Sequence, residues 1–231
     1  MNTFFKGATF LALGLCLSCG DSDDGTPPSS NGGTDPFANP SATYDITFNA
    51  EFSAENFPTD YPDNARFGPI VAVAHAPSIS VYEVGQMASE AFEAYVEDGD
   101  ANTLAAFLTT GDEGEDVTTT VVTGTNVAGV SNETLSITVT PTNTRITFLA
   151  RISPSPDWFV GVNSFDVVDG NTLVSSGTVG LQPLDAGTDS GDTYTAADAE
   201  ISQTITTISS PPLIGSGLNP SIGSVTFELK N

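Results

Sequence analysis

The feature that most constrains the fold is a strict two-residue alternation of apolar and polar side chains. In the stretch TYDITFNAEF, residues 43–52, every second residue is apolar, from Tyr44 to Phe52. Successive side chains of a β-strand point to opposite faces of a sheet, so this period predicts a half-buried strand. The same alternation returns at 135–139 and 146–152, and it closes the chain at 225–229.

Further strands are predicted where β-branched residues cluster. PIVAVAHAP, residues 69–77, and VTTTVVTG, residues 117–124, are rich in valine and threonine and are bounded by turn residues. The pattern as a whole predicts an all-β fold, an antiparallel β-sandwich of about eight strands.

One segment departs from the strand period. In QMASEAFEAYVEDGD, residues 86–100, apolar residues recur at helical spacing, and Gly99 is placed to end the helix. Asp100 can then cap a second short helix, ANTLAAFL. We therefore expect a short helical insertion in the sandwich.

The amino-terminal residues have the order of an export signal. Lys6 is followed by an apolar run, then by Ser18 and Cys19, and the run is too short to span a bilayer as a mature helix. C-L-S-C resembles the bacterial lipobox, in which Cys19 is lipidated, although Cys16 stands where leucine is usual. The alternative is an ordinary signal peptide. We predict a lipoprotein signal peptide at 1–19, an acidic Pro/Gly/Ser-rich tether at 20–42 and one domain at 43–231.

Composition excludes several classes of function. The formal charge is −24, which disfavours nucleic acid and anionic lipid as partners. Both cysteines lie in the signal segment, so we expect no disulfide, no thiolate metal site and no cysteine nucleophile in the domain. The single histidine, His75, lies in an apolar run and is expected to be half-buried and hydrogen-bonded. No catalytic residue is predicted.

An acidic, glycine-rich loop suggests a cation site. DAGTDSGD, residues 185–192, places Asp185, Asp189 and Asp192 among glycines, in a chain that is already strongly negative. Calcium takes six to eight oxygen ligands from carboxylates, carbonyls and water. By spacing alone, a calcium loop and an Asx-rich turn are equally good interpretations. Trp158, in PDWFVG, is expected to pack in the core, the alternative being an exposed contact.

Two motifs together resemble the spondin domain of the F-spondin and mindin type. They are SPSPDWFVGV at 153–162 and L-x-P-x-DAGTDSG at 181–191. YDITF, FPTDYP, GPIVAVAH and GQMASEAFEAYVEDG fit the same pattern in the same order, so the resemblance covers roughly residues 43–229. It implies an eight-stranded antiparallel sandwich that binds one calcium ion at its edge. The implied ligands are Asp157, Asp185 and Asp189, with Asp192 outside the motif.

The expected function is non-catalytic. We expect a calcium-binding lipoprotein at the cell envelope, on the outer-membrane surface or alternatively secreted, which recognises an extracellular protein or a glycan. Its contact with the membrane would be through the lipid alone. The alternative function is a carbohydrate hydrolase that uses a carboxylate pair.

Overall fold

The computed structural model describes residues 36–110, 119–214 and 221–230. The predicted signal segment with Cys19, and the tether up to residue 35, lie outside the described residues. The described elements, in chain order, are β1 (Ala42–Glu51), β2 (Arg66–His75), α1 (Glu90–Asp98), α2 (Ala101–Thr110), β3 (Thr120–Thr123), β4 (Val127–Ala128), β5 (Val130–Val139), β6 (Arg145–Ser153), β7 (Trp158–Asp166), β8 (Val168–Asp169), β9 (Thr172–Leu173), β10 (Ser176–Leu181), β11 (Leu184–Asp185), β12 (Thr206–Thr207) and β13 (Gly223–Leu229).

The strands form two main antiparallel sheets. One has four strands in the order β10-β13-β1-β5. The other has seven, in the order β12-β11-β7-β6-β2-β3 with β4 also paired to β2. In the first sheet, Ile46 of β1 lies opposite Phe227 on one side and Leu135 on the other. Among the described strands, eight have four residues or more. The predicted all-β antiparallel fold is confirmed.

The main core lies between the two sheets. The apolar residues of the alternating pattern in β1 point inward, and Phe48 has no exposed surface. Its ring contacts Phe67 of β2 at a centroid distance of 5.0 Å and Phe148 of β6 at 5.2 Å. Such pairs add about 0.5–1.5 kcal/mol to the free energy gained from buried area. The packing explains why β1 shows the clearest alternation: its other face is turned to solvent.

The helical insertion covers the outer face of the seven-stranded sheet. Phe92 and Tyr95 of α1 and Leu104 of α2 form a second buried cluster with Val71 of β2 and Leu149 of β6. The central strands β2 and β6 are therefore buried on both faces. This explains why their sequences are nearly continuous apolar runs, as is usual for a sheet covered on both sides.

The predicted end of α1 at Gly99 and the predicted cap of α2 at Asp100 are confirmed, and α1 begins after Ser89. Ser89 Oγ accepts a hydrogen bond from the N–H of Phe92, and Gly99 ends α1 in a left-handed conformation with φ +76°. Asp100 Oδ1 accepts from the N–H of Thr103 at 3.0 Å, at the start of α2. Arg151 of β6 donates to the carbonyl oxygens of Val96 and Glu97 at the carboxyl end of α1, which fixes the helix to the sheet.

Two residues are more buried than the sequence indicates. Phe37, within the predicted tether, is only 6% exposed and belongs to the main core. His75 is fully buried rather than half-buried. Its ring nitrogens hydrogen-bond to the carbonyl of Ala76 and to Thr147 Oγ1, both at 2.9 Å. Burial lowers the pKa of His75. None of the described helices is long and apolar enough to cross a bilayer.

Candidate metal site at a sheet edge

The three predicted ligands meet at one end of the seven-stranded sheet. Asp157 immediately precedes β7, and β11 pairs with the start of β7 so that Asp185 lies opposite Trp158. The N–H of Ala186 donates to the carbonyl oxygen of Asp157 at 3.3 Å. The chain then turns at Gly187, which brings Asp189 back against Asp157. Pairing of two strand ends therefore joins residues that are far apart in sequence.

Asp157 is enclosed by the loop that follows β11. It has no exposed surface. Its Oδ2 accepts hydrogen bonds from the N–H of Thr188 at 2.8 Å, the N–H of Asp189 at 3.2 Å and Thr188 Oγ1 at 3.3 Å. Its other oxygen, Oδ1, is buried and has no hydrogen-bond partner among the described residues. A buried carboxylate oxygen without a partner is costly, so this atom is the unusual feature of the site.

The two loop aspartates fold the backbone around themselves. Asp185 Oδ1 accepts from the N–H of Gly187 at 2.8 Å, and Asp189 Oδ1 accepts from the N–H of Gly191 at 2.6 Å. Asp189 Oδ2 accepts from the N–H of Ala199 at 3.0 Å, and Asp189 is only 5% exposed. The hydrogen bonds to Gly187 and Gly191 form Asx turns, so the Asx-turn interpretation describes the local backbone of the loop correctly. They also hold the carboxylates in fixed directions.

The electrostatics of the site disfavour three negative charges. Burial raises the pKa of Asp157 to about 6, and the charge of Asp185 adds to that rise, while the N–H bonds from Thr188 and Asp189 oppose it. Burial also raises the pKa of Asp185, with the charge of Asp189 contributing in the same direction. The two ion pairs found among the described residues, Arg145 with Asp166 and Lys230 with Asp45, lie elsewhere. Within the described part of the chain, the three aspartates thus have no cationic side chain paired with them.

The side chains alone do not complete a metal centre. Across the described ranges, no group of three or more His, Cys, Asp or Glu side chains is gathered closely enough to hold an ion by itself. The donor set is nonetheless all oxygen, and one of its atoms, Asp157 Oδ1, is free to bind. Such a site suits a hard cation that takes further ligands from carbonyl groups and water.

A second segment holds the loop in place. The N–H of Gln203 donates to the carbonyl of Gly187, and the N–H of Ile201 donates to the carbonyl of Thr188, both at 2.8 Å. Gly187 has φ +73°, and a Cβ there would lie 2.6 Å from the carbonyl oxygen of Gln203. Glycine is therefore required at this position for both conformation and space.

A polar groove of about 340 Å³ opens beside the loop. Asp185 and Asp189 form one wall, together with Asp192, which is exposed as predicted. The other wall is the segment 203–211, which is rich in serine and threonine. Trp158 lines the floor and is 3% exposed, so its predicted core position is confirmed. No pattern in the sequence distinguishes this serine- and threonine-rich wall.

Sequence reasoning also missed Glu97 and Thr188. Burial raises the pKa of Glu97; a hydrogen bond from Thr188 opposes this rise, and the charges of Glu93, Asp198 and Asp157 add to it. Glu97 Oε1 is buried without a hydrogen-bond partner among the described residues. The Thr188 hydroxyl therefore lies between two carboxylates and has one proton to donate. Nothing in the sequence distinguishes Glu97 from the other acids of the chain.

Comparison with known proteins identifies the family of the chain. A model of the Spondin_N family matches residues 42–212, which include all three aspartates. The chain belongs to the Spondin_N family. The predicted resemblance is thereby confirmed; the match covers the helical insertion and all of the described strands except β13.

Curated relatives of this Spondin_N chain include Spondin-2 and Spondin-1 proteins of vertebrates. Spondin-2 of Homo sapiens is 33% identical over 175 residues, which is 73% of this chain and 53% of the relative. Spondin-2 of Rattus norvegicus is 33% identical over 163 residues, or 69% of this chain and 49% of the relative. Spondin-1 of Homo sapiens is 29% identical over 163 residues and is covered to 20% of its length. The chain thus spans about half the length of the Spondin-2 proteins.

Proposed function

We propose that this Spondin_N domain binds one calcium ion through Asp157, Asp185 and Asp189, and that it is a non-catalytic recognition domain outside the cell. The observation that carries the proposal is the unpartnered Oδ1 of Asp157. It is fully enclosed, it belongs to a carboxyl group on which the negative charge of Asp185 acts, and no cationic side chain of the described residues balances it. A bound cation would offset both the desolvation and the repulsion.

Calcium is the ion that the donor set favours. Zinc prefers nitrogen and sulfur ligands, and the described ligand candidates here are carboxylates. Magnesium requires near-ideal octahedral geometry, whereas calcium accepts six to eight oxygens in irregular arrangements. An irregular loop that contains Gly187 and Gly191 suits the arrangement that calcium accepts. The remaining ligands would be backbone carbonyls and water.

The groove beside the ion would be the recognition surface. It is bordered by Asp185 and Asp189, and its far wall carries hydroxyl groups of residues 204–210. A ligand with hydroxyl or carboxylate groups could complete the calcium shell and hydrogen-bond to this wall. That description fits a glycan or an acidic protein side chain. Without the ion, the acidic wall would repel anionic ligands.

The cellular setting follows from the amino-terminal sequence and the family. Spondin relatives and the signal-like segment both support export, and the C-L-S-C sequence supports a lipid anchor at Cys19. Metabolic labelling with a radioactive or clickable fatty acid tests the anchor. Label should be incorporated into the native chain and absent from a Cys19→Ser variant; equal labelling of both would contradict it.

The hydrolase alternative is not favoured by the geometry. Asp157 is enclosed by the loop and has no exposed surface, so it has no access to a glycosidic bond. Of the three acids, only Asp185 is more than marginally exposed. A carboxylate pair flanking a sugar is therefore not available at this site.

The calcium proposal is tested by thermal unfolding and by isothermal titration calorimetry. A ligand that binds only the native state stabilises it by about 2.7 kcal/mol at a hundredfold excess over Kd. We expect calcium to raise the melting temperature of the purified protein by several degrees and chelator to reverse the change. The combined Asp185→Asn and Asp189→Asn substitutions should remove the shift.

Asp192→Asn is the matched control, since Asp192 is on the same loop but exposed and outside the motif. It removes one charge from the groove wall but none of the three proposed ligands, so it should keep most of the calcium response. An unchanged response in the double variant, or an equal loss in Asp192→Asn, would mean that diffuse surface charge binds the ion.

A further inference from the structure

An apolar pocket lies at the outer side of the helical insertion, distinct from the acidic groove. It has a volume of about 230 Å³. Its walls come from the loop 80–89, from α1 and α2, and from the segment that contains Ile205. The large apolar lining residues are Val81, Tyr82, Met87, Phe92, Phe107 and Ile205.

The rim of this pocket exposes large apolar side chains. Met87 is 51% exposed and lines the pocket, and Val84, on the same loop, is 53% exposed. Phe107 is partly buried at the other side. Exposed apolar side chains grouped around a concave apolar surface indicate a contact site, unlike single ones scattered over a surface.

The pocket is preformed, because its floor is part of the folded core. Phe92 and Ile205 are each 1% exposed. The ring of Tyr82 stacks on Phe92 at a centroid distance of 6.0 Å and meets Phe159 of β7 edge-on at 5.2 Å. The N–H of Gly85 donates to the carbonyl of Ile205 at 2.8 Å, which ties the rim loop to the floor. Little ordering is needed before a ligand can bind.

The charge around the pocket selects its occupant. Glu83 is one of the lining residues, and Glu90, in the first turn of α1, adjoins the lining residue Ser89. Both glutamates are exposed. The described basic residues are Arg66, Arg145, Arg151 and Lys230, and none of them lines this pocket. An apolar centre with an acidic rim is complementary to an apolar side chain flanked by cationic ones.

We propose that this pocket is a second recognition site, which takes a protein segment with one large apolar side chain next to lysine or arginine. The apolar side chain fills the space between Met87, Phe92 and Phe107, and the cationic residues face Glu83 and Glu90. The proposal does not depend on calcium binding at the aspartates. A second copy of this chain is a poor occupant, because a formal charge of −24 on each copy opposes their contact.

The probe is a short blocked peptide with phenylalanine between pairs of lysines. It is titrated into the isotopically labelled protein, and amide chemical shifts are followed by NMR. We expect saturable shifts at residues 80–89, in α1 and α2 and at Ile205. Two matched peptides, with glutamate for lysine or alanine for phenylalanine, should give much smaller shifts.

Met87→Ser tests the pocket without disturbing the core, since Met87 is half exposed. Loss of one apolar contact should weaken binding of the lysine–phenylalanine peptide by about fivefold. Val130→Ser is the matched control: Val130 is 66% exposed on β5, and it does not line the pocket. This variant should bind like the native protein.

Four results would overturn the proposal. Shifts that map away from the pocket, or equal binding by native protein and Met87→Ser, would show that the peptide does not bind in this pocket. Equal binding of the glutamate peptide would show that the pocket does not select a basic segment. A dimer in analytical ultracentrifugation that Met87→Ser dissociates would assign the surface to a second copy instead.

Discussion

The backbone N–H of Thr188 donates a hydrogen bond to Asp157 Oδ2 at 2.8 Å, so the acid before β7 is closed in by the loop after β11. The hydrogen bonds from Thr188 and Asp189 all go to Oδ2, and Oδ1 is buried with no partner among the residues that the structure describes. Protonation of Asp157 or binding of a cation would each offset the cost of burying this oxygen. The charge state of Asp157 should therefore control both the stability of the domain and its response to calcium.

The stability of the metal-free protein should fall as pH rises from about 4 to about 6. Burial raises the pKa of Asp157 to about 6 in the folded state, whereas an unfolded aspartate titrates near 3.9. Between these values the folded state binds more protons than the unfolded state, so the free energy of unfolding decreases with pH. The loss should be on the order of 2 kcal/mol, measured by urea unfolding after removal of divalent ions.

Asp157→Asn is the control for this pH dependence, because asparagine keeps the shape and does not titrate. The variant should have a flatter pH profile between 4 and 6. With saturating calcium, the native protein should instead gain stability as pH rises, since the ion requires ionised ligands. A profile that is unchanged in Asp157→Asn would assign the titration to another group.

Gly187→Ala should destabilise the domain and weaken calcium binding. A Cβ at this position lies 2.6 Å from the carbonyl oxygen of Gln203, and φ is +73°. We expect a loss of about 2–3 kcal/mol, since strain and steric overlap add. Gly170→Ala is the control, because Gly170 has φ +60° and open space around it. If both variants lose the same stability in urea, the conformational cost alone explains the effect and the close contact does not.

Arg151→Met should affect both the helix and the metal site. Arg151 donates to the carbonyls of Val96 and Glu97 and, at 3.4 Å, to the carbonyl of Ser155, two residues before Asp157. Methionine leaves these partly buried carbonyls unsatisfied, at a cost of about 2 kcal/mol in unfolding free energy. Calcium affinity should fall with it, as measured by calorimetry. Arg66→Met, which removes an exposed bond to Asn64, should change neither quantity.

The fold was largely predictable from the sequence because its local signals agree with its packing. The alternation in β1 reflects one buried and one solvated face, and Ser89, Gly99 and Asp100 occupy the helix ends that their side chains or backbone favour. The burial of Phe37 and His75 depends instead on long-range packing. No local pattern distinguishes a buried phenylalanine or histidine from an exposed one.

The candidate site was predictable only in part. Asp185 and Asp189 share a short loop, so their proximity follows from sequence distance, but Asp157 joins them through the pairing of Asp185 with Trp158. Only the resemblance to spondin domains placed Asp157 there in advance. Thr188 and Glu97 were not predictable. The Thr188 hydroxyl hydrogen-bonds to Asp157, and Glu97 on α1 lies near enough for the charge of Asp157 to raise its pKa. Both relationships depend on tertiary packing.

The segment 199–207 connects the acidic loop to the apolar pocket. Calcium binding at the loop should therefore change the surroundings of residues at both places. On one side, the N–H of Gln203 donates to the carbonyl of Gly187 at 2.8 Å. On the other, the N–H of Ile205 donates to the carbonyl of Gln86 at 2.8 Å, next to the pocket rim. We expect calcium titration to shift the amide resonances of Gly85, Gln86 and Ile205 as well as those of 185–191.

Thr47, on the solvated face of the four-stranded sheet, is the internal control and should not shift. The Asp185→Asn variant should lose the shifts in both regions together, because one ion causes them. Shifts confined to 185–191 would show that the segment does not transmit the change. Shifts at the pocket that persist in Asp185→Asn would instead mean that calcium binds there directly, through Glu83 or Glu90.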